Sequence, residues 1–296
     1  MIMTMDKNEL YAVADIGSNT VVLIVYELIG GVPAVKEYLS DAAHLIDTVK
    51  DGRMSAEGIE KAYTVLSGYA RHLDELDIQY RYADITEPGR ISNRDELVSA
   101  LRRTGFTVVP LSGSEEAVLD YEGARLAYPD IETGAAFDVG GGSSELITFR
   151  DGRITTALSV PLGCVRLSRY SLDDTICKDT LQAAMKQYPA LSQECDTLIG
   201  IGGTMRAVGL VSEKLYGSAD RIAVQQLQDL FTRLRAEEQE AVRAMEETVS
   251  PSRIPVFLPG IHMIQAIAEA FRAEEIVISP TGIREGFLLK MLKSRN

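Results

Sequence analysis

Two stretches of the chain resemble each other, and this internal repeat is the strongest constraint on the fold. The segments YAVADIGSNTVVLIVYEL, from residue 11, and GAAFDVGGGSSELITFRD, from residue 134, each run from an apolar stretch into an aspartate, an apolar residue and a glycine. They align on Asp15 and Asp138, which lie about one domain length apart. We therefore expect a duplicated structural unit.

Each copy of the repeat predicts three consecutive β-strands, because β-branched and apolar residues are interrupted by glycine turns. A helical stripe of apolar residues begins after Ser55, a suitable N-cap, and strands and helices then alternate, which is typical of the α/β class. The predicted elements are strands 11–15, 21–28 and 32–39, a helix after Ser55, a strand near 78–83, a polar loop 84–92, a helix 93–103, a strand 107–110, a helix 112–127, strands 135–138, 145–149, 154–160, 197–201 and 275–279, and a closing helix 281–293.

The composition is that of an ordinary globular protein. Of the 296 residues, 46% are hydrophobic and 25% are charged, which excludes a disordered or collagen-like chain. Two packed domains with a cleft between them are expected at this length. The net charge of −13 repels nucleic acid and anionic membrane surfaces, so we expect neither as a partner. A polyanionic ligand must then be captured by local features.

Cysteine and histidine usage narrows the chemistry. Cys164, Cys177 and Cys195 are odd in number and lack C-x-x-C spacing, which indicates neither a disulfide framework nor a zinc site. Free thiols fit a reducing cytosol, so a cytoplasmic location is expected. The chain has only three histidines and no metal-protease or triad-like histidine signature, so carboxylates are expected to do the acid-base work.

The turn that follows Asp15 is a candidate phosphate-binding loop. Gly17 allows backbone N–H groups to approach an anion, and Ser18, Asn19 and Thr20 add side-chain donors. The alternative is a hairpin with ordinary turn residues.

The second copy strengthens the phosphate-binding interpretation. Gly140, Gly141 and Gly142 follow the strand that carries Asp138, and Ser143 adds a hydroxyl. Two facing loops of this kind would bind a phosphate chain from both domains. Phosphate near Asp15 and Asp138 requires a hard cation, so both acids are predicted to bind Mg²⁺ directly or through water. The alternative is that each acid only caps its turn.

Two glutamates are candidates for catalysis. Glu115 opens a helix three residues after Ser112, so a capping box explains it without any function, whereas the functional interpretation makes it the general base for an attacking water. Glu145, two residues past Ser143, is predicted to assist Glu115.

A third glycine turn, Gly202, Gly203 and Thr204, lies between a strand and a helix and is a possible ligand loop, because a helix N-terminus binds phosphate well. A lone motif of this kind also fits tight strand-helix packing. Near the last helix, Arg284 offers a cation, although an exposed surface arginine is the commoner explanation.

Six motifs, in order, make nearly the whole chain resemble the exopolyphosphatase and guanosine pentaphosphate phosphohydrolase (Ppx/GppA) family, in its short two-domain form. They are DIGSNT, SGSEEA, FDVGGGSSEL, PLGCVRL, GIGGTMRAV and GIREGFLLKML. The resemblance implies two ribonuclease-H-like domains of the actin, Hsp70 and sugar kinase superfold around a cleft, with the last helix packed on the first domain. The expected domains are 1–126 plus 281–296, and 127–280.

The resemblance also implies Mg²⁺-dependent release of terminal phosphate from polyphosphate or guanosine pentaphosphate. Glu115 matches the family's catalytic glutamate, Asp138 and Glu145 match acids around the second loop, and Asp15 matches the first-loop acid. The residues of the two loops, 17–20 and 140–143, match the family's phosphate-binding backbone.

One segment departs from the family pattern. The family's T-S-A-L-R-x-A stretch is Ile85-Thr86-Glu87-Pro88-Gly89-Arg90-Ile91 in this chain, so the phosphate-facing arginine falls on Gly89. Arg90 is predicted to take its place with a shift of one residue. The family's R-L-G-E-G stretch is likewise replaced, by HLID at residues 44–47. Both changes lower the positive charge near the predicted substrate.

Three functions remain open from the sequence: a phosphohydrolase, a catalytically weakened sensor of polyphosphate or nucleotide, and a small-molecule kinase of the same superfold. The first loop lacks the lysine or glycine pair typical of such kinases. The expected partner is polyphosphate or a guanosine polyphosphate, and a homodimer is compatible with the sequence.

Overall fold

The computed structural model describes residues 9–170, 172 and 174–295. The chain divides into two compact units, Met1–Ser112 with Arg284–Asn296, and Gly113–Ile283. This division differs from the expected boundaries after residue 126 and before residue 281. The reason is that the helix at Gly113–Ala124 packs on the sheet of the second unit.

The first unit is built on a five-stranded sheet with the strand order β3-β2-β1-β6-β7. Strands β1, β2 and β3 form an antiparallel meander, and β6 and β7 join it in parallel. The elements are β1 Leu10–Ile16, β2 Thr20–Ile29, β3 Val32–Ala42, the small hairpin β4 Val49–Lys50 and β5 Arg53–Met54, α1 Ala56–Glu75, β6 Tyr80–Ile85, α2 Arg94–Arg102 and β7 Thr107–Pro110.

One face of the first sheet is apolar and packs against α1 and α2. Alternate residues of β1, among them Ala12, Ala14 and Ile16, join this core. Helix α1 begins where the sequence predicts, because the Ser55 side chain accepts a hydrogen bond from the Gly58 N–H at 3.1 Å. The β-branched strands and the capped helix thus follow directly from local sequence.

The second unit repeats the topology of the first. Its sheet has the order β10-β9-β8-β11-β13-β12, so the first five strands reproduce the meander and the two parallel strands, and the predicted duplication is confirmed. The short edge strand β12 is the addition that the sequence did not predict. The elements are α3 Gly113–Ala124, β8 Gly134–Val139, β9 Ser144–Arg150, β10 Arg153–Val160, α4 Cys164–Leu167, α5 Asp174–Gln187, β11 Thr197–Ile201, α6 Gly202–Tyr216, β12 Arg221–Ala223, α7 Val224–Arg235, α8 Gln239–Thr248, α9 Ile254–Phe271 and β13 Glu275–Ile278.

The last helix, α10 Ile283–Ser294, lies almost entirely in the first unit, as the sequence implied. It lies on the sheet face opposite α1, where the Tyr26 hydroxyl donates to Glu285 Oε1 at 2.5 Å. Near its end, the Arg295 guanidinium stands 3.8 Å from the ring centroid of Tyr80. Asp15 stands on this same face of the sheet, because β1 side chains alternate between the two faces.

Helix α9 is the central helix of the second unit. By length and composition it is apolar enough to cross a membrane, but 67% of it is buried inside the fold. Its buried side chains, which include Phe257, Ile264 and Phe271, belong to the main apolar cluster of this unit. The burial is what a core helix of this composition requires.

Candidate active site

Asp138 and Glu145 face each other across the antiparallel pair β8 and β9. Asp138 is half-buried, whereas Glu145 is only 1% exposed. Glu145 Oε1 accepts hydrogen bonds from Ser143 Oγ at 3.1 Å and from Ser159 Oγ at 2.6 Å. These two donors hold the Glu145 carboxylate in a fixed orientation beside Asp138.

The glycine loop after Asp138 is held by the PLGCVRL segment. The loop closes with a hydrogen bond from Gly140 N to Ser143 O at 3.0 Å, and Cys164 N donates to Gly140 O at 2.9 Å. Val165 N donates to Gly141 O at 2.9 Å. A Cβ at Gly163 would lie 2.5 Å from Gly140 O, so a glycine is needed for this close approach. The PLGCVRL segment, which the sequence analysis used only as a sign of family resemblance, therefore holds the second glycine loop in place through backbone hydrogen bonds.

The third glycine turn lies next to Asp138. Gly202 opens α6 with a φ of 83°, and a Cβ there would overlap the Asp138 carboxylate. Thr204 Oγ1 donates to Val139 O at 2.6 Å and accepts from Arg253 Nη1 at 3.2 Å. A Cβ at Gly203 would lie 2.5 Å from Arg253 Nη2. The structure thus brings Asp138, Glu145, Ser143 and the glycine turn 202–204 together in one unit.

Arg253 lies beside these residues, and the sequence reasoning missed it. It immediately precedes α9, far along the chain from both glycine turns, and no local motif marks it. Its guanidinium and the N-terminus of α6 place positive potential beside the Asp138 carboxylate. Such an arrangement can hold a phosphate group between an arginine and backbone N–H groups.

Glu115 lies in the first turn of α3 and is exposed. Helix α3 packs through Ala117, Tyr121 and Ala124 on the sheet face that also carries Ala136 and Ile147. Because strand residues alternate between faces, Asp138 and Glu145 stand on that same face of the sheet. The base interpretation and the helix-cap interpretation of Glu115 are both consistent with this placement.

The predicted loop of the first unit is tied down by its own backbone. Gly17 N donates to Thr20 O at 3.1 Å, and Asn19 O accepts from Ala43 N at 2.9 Å and His44 N at 2.8 Å. Ser18, 5% exposed, donates its hydroxyl to Glu87 Oε2 at 2.7 Å. Backbone hydrogen bonds hold this loop on both sides, and the Ser18 hydroxyl, one of its predicted phosphate donors, already donates to a carboxylate.

The segment that departs from the family forms a short 3-10 helix, Glu87–Arg90. Arg90, predicted to replace the family arginine, is exposed at its end. Gly89 is buried, and a Cβ there would lie 3.4 Å from both Ile85 Cγ2 and Pro110 Cβ. The Cβ of any side chain at position 89 would therefore pack against the apolar side chains of Ile85 and Pro110. The role of Arg90 in phosphate binding stays a prediction.

Two interpretations from the sequence were wrong, because Asp84 and Arg284 are both buried. Asp84, assigned to a polar loop, lies in β6, one residue before the strand ends, in register with Asp15, and it is fully buried. Among the described residues, neither oxygen of its carboxylate has a hydrogen-bond partner. Arg284, interpreted as a surface arginine, is 8% exposed. Burial and the Asp15 charge raise the pKa of Asp84 well above its usual range, while the Arg284 charge opposes that shift.

This raised pKa predicts how stability changes with pH. The folded protein retains the Asp84 proton that the unfolded chain releases above about pH 4, so the wild type loses stability as pH rises from there toward the raised pKa. Asparagine does not titrate. We expect the melting temperature of Asp84→Asn, measured relative to wild type by calorimetry, to rise between pH 4 and pH 7, by roughly 2 to 4 °C for each kcal/mol of stability that the wild type loses.

The exposed Asp77 provides the control, because Asp77→Asn removes a solvated carboxylate from the same unit. Its melting temperature should stay parallel to that of wild type over this pH range. A pH-independent difference between Asp84→Asn and wild type would contradict a retained proton on Asp84.

Asp15 and Asp138 are the two predicted ligands for Mg²⁺. No group of three or more His, Cys, Asp or Glu side chains within the described ranges forms a ready metal centre. Mg²⁺ nevertheless needs only one or two carboxylates, with water and substrate oxygens completing its shell. The half-buried Asp138 beside Glu145 fits this requirement. Asp15 lies near the buried Arg284 guanidinium, as Asp138 lies near Arg253, so neighbouring positive charge does not rank the two acids.

None of the three cysteines forms a disulfide within the described part of the chain, as the sequence predicted. Cys164, Cys177 and Cys195 are all buried, and burial raises the pKa of Cys164 and of Cys195. Their role in this structure is packing within the second unit.

Comparison with known proteins agrees with these observations. The model of the Ppx/GppA phosphatase family matches residues 42–295. A solved Ppx/GppA family member from Aquifex aeolicus is 24% identical, with a TM-score of 0.77 over 97% of this chain and 99% of that one. An exopolyphosphatase from Cytophaga hutchinsonii is 20% identical, with a TM-score of 0.80 over 97% and 98% of the two chains. The structural likeness confirms the predicted α/β fold class.

Proposed function

Because the chain belongs to the Ppx/GppA phosphatase family and is therefore a phosphoanhydride hydrolase, we propose that it releases terminal phosphate from inorganic polyphosphate or guanosine pentaphosphate with the aid of Mg²⁺. The observation that carries the proposal is the group formed by Asp138, the turn at Gly202 and Gly203, and Arg253. A carboxylate, a helix N-terminus and an arginine together suit a phosphate with its cation. The neighbour described as an exopolyphosphatase supports polyphosphate as the substrate.

The proposed mechanism assigns a separate task to each side chain. Arg253 and the N-terminus of α6 bind the phosphate chain, and Glu115 orients the attacking water and accepts its proton. Asp138 would hold Mg²⁺, which supplies charge neutralisation for the phosphoryl group when bound. Glu145, fixed by its two serine donors, keeps negative charge in place beside Asp138.

A phosphate-release assay tests this function. Purified protein is incubated with polyphosphate, guanosine pentaphosphate or ATP, with Mg²⁺ or with excess chelator. We expect release from one of the first two substrates with Mg²⁺ only. Tight binding without any release would favour the sensor, and transfer from ATP to an acceptor hydroxyl would favour the kinase.

Arg253 gives a prediction specific to this site. A charge-assisted hydrogen bond to phosphate contributes about 1.5 to 3 kcal/mol, so Arg253→Ala should lower kcat/KM for polyphosphate by roughly ten- to a hundredfold. Arg235→Ala, which removes an exposed arginine from the same unit, should leave kcat/KM near the wild-type value. Equal kinetics for the two variants would remove Arg253 from the proposed site.

A further inference from the structure

Glu87 contacts the first glycine loop directly. It begins the 3-10 helix after β6, and its Oε2 accepts a hydrogen bond from Ser18 Oγ at 2.7 Å. Ser18 is only 5% exposed, so this hydroxyl has little access to water. The Glu87 carboxylate therefore accepts the one hydrogen bond that the Ser18 hydroxyl, a predicted phosphate donor, can donate.

Both partners of this bond are held in place by backbone contacts. On the Glu87 side, Thr86 N donates to Ile16 O at 3.2 Å and Gly89 N donates to Thr86 O at 2.8 Å. On the Ser18 side, Ser18 O accepts from Ile46 N at 2.9 Å. The contact thus joins two anchored segments.

Carboxylate and phosphate oxygens compete for the same kind of donor. A serine hydroxyl has one proton to donate, so a phosphate that bonds Ser18 must first displace Glu87. The phosphate also meets the like charge of the carboxylate at close range, where water screens it poorly. Both effects act against anion binding at this loop.

We propose that Glu87 is an internal competitor for phosphate at the first loop and thereby sets the affinity for substrate. The inference rests on the proposed function, since it assumes that residues 17–20 bind substrate phosphate. It assigns a binding role to the position where Glu87 departs from the family pattern. The effect is strongest for short anions, because a long polyphosphate has more points of attachment.

The test compares two glutamate-to-glutamine substitutions, each of which removes one negative charge. Glu87→Gln keeps the shape of the side chain but removes its charge, and Glu75→Gln does the same at an exposed position at the end of α1. Sodium tripolyphosphate is titrated into each protein by calorimetry at one ionic strength. We expect Glu87→Gln to bind about tenfold more tightly than wild type, and Glu75→Gln to match wild type.

A double variant locates the effect. Adding Ser18→Ala to Glu87→Gln should remove the part of the gain that comes from the Ser18 hydroxyl, which a neutral amide holds less strongly than a carboxylate does, and should leave the part that comes from the lost charge. Equal affinity for Glu87→Gln and Glu75→Gln, or weaker binding by Glu87→Gln, would overturn the inference. The titration needs no turnover, so a wild type that binds tripolyphosphate without releasing phosphate counts against the hydrolase alone.

Discussion

Replacing Glu115 by glutamine is expected to lower kcat by roughly a hundredfold or more with little change in KM. A positioned general base typically contributes a factor of about 10² to 10⁴, and glutamine cannot accept the proton of the attacking water. The measurement is steady-state phosphate release from polyphosphate at saturating Mg²⁺. Tripolyphosphate binding should stay near the wild-type value, because the amide keeps the size and polarity of the side chain.

The same substitution separates catalysis from helix capping. Glutamine also serves at the third position of a capping box, so Glu115→Gln leaves the cap intact. The matched control is Glu116→Gln, which removes an equal charge from the next position of α3. We expect Glu116→Gln to keep most of the activity. Normal turnover by Glu115→Gln would refute its role as the base and leave the cap as its function.

The duplicated meander shows how far local sequence reaches. Strand period, glycine turns and the alignment of Asp15 with Asp138 predicted both sheets and the placement of each acid at a strand end. Asp138 pairs with Glu145 because a short turn joins β8 to β9, so the two residues are close in sequence. These features depend on contacts within a few residues, and sequence patterns record such contacts well.

The missed residues depend on contacts between distant segments. Arg253 reaches Thr204 from the start of another helix, and Arg284 is buried because the last helix returns to the first sheet. Asp84 looked like a loop residue, since a polar residue at a strand end is normally exposed. The two units differ at this point: the residue beside Asp15 is Asp84, whereas the residue beside Asp138 is Ile201. This difference depends on the register between parallel strands, which the sequence alone does not give.

Replacing Asp138 by asparagine is expected to lower Mg²⁺-dependent phosphate release by about a hundredfold or more. Asparagine is nearly isosteric and fits against Gly202, but it removes the negative charge that suits a hard cation. The affinity for Mn²⁺, measured directly by magnetic resonance in the absence of substrate, should fall at least about tenfold. Both readouts are needed, because a loss of activity alone does not distinguish cation binding from other roles.

The competing role for Asp138 is stabilisation of the N-terminus of α6, where its carboxylate lies. A charge at a helix N-terminus contributes about 0.3 to 1 kcal/mol, so this role predicts a lower melting temperature with normal activity and normal Mn²⁺ affinity. The exposed Asp130 in the same unit is the matched control for charge, and Asp130→Asn should change none of the three measurements. If Asp138→Asn loses stability but keeps turnover and Mn²⁺ binding, Asp138 is a structural cap and the cation must be held elsewhere. If turnover and Mn²⁺ affinity fall together while the melting temperature stays within a few degrees, the carboxylate binds the cation that hydrolysis requires.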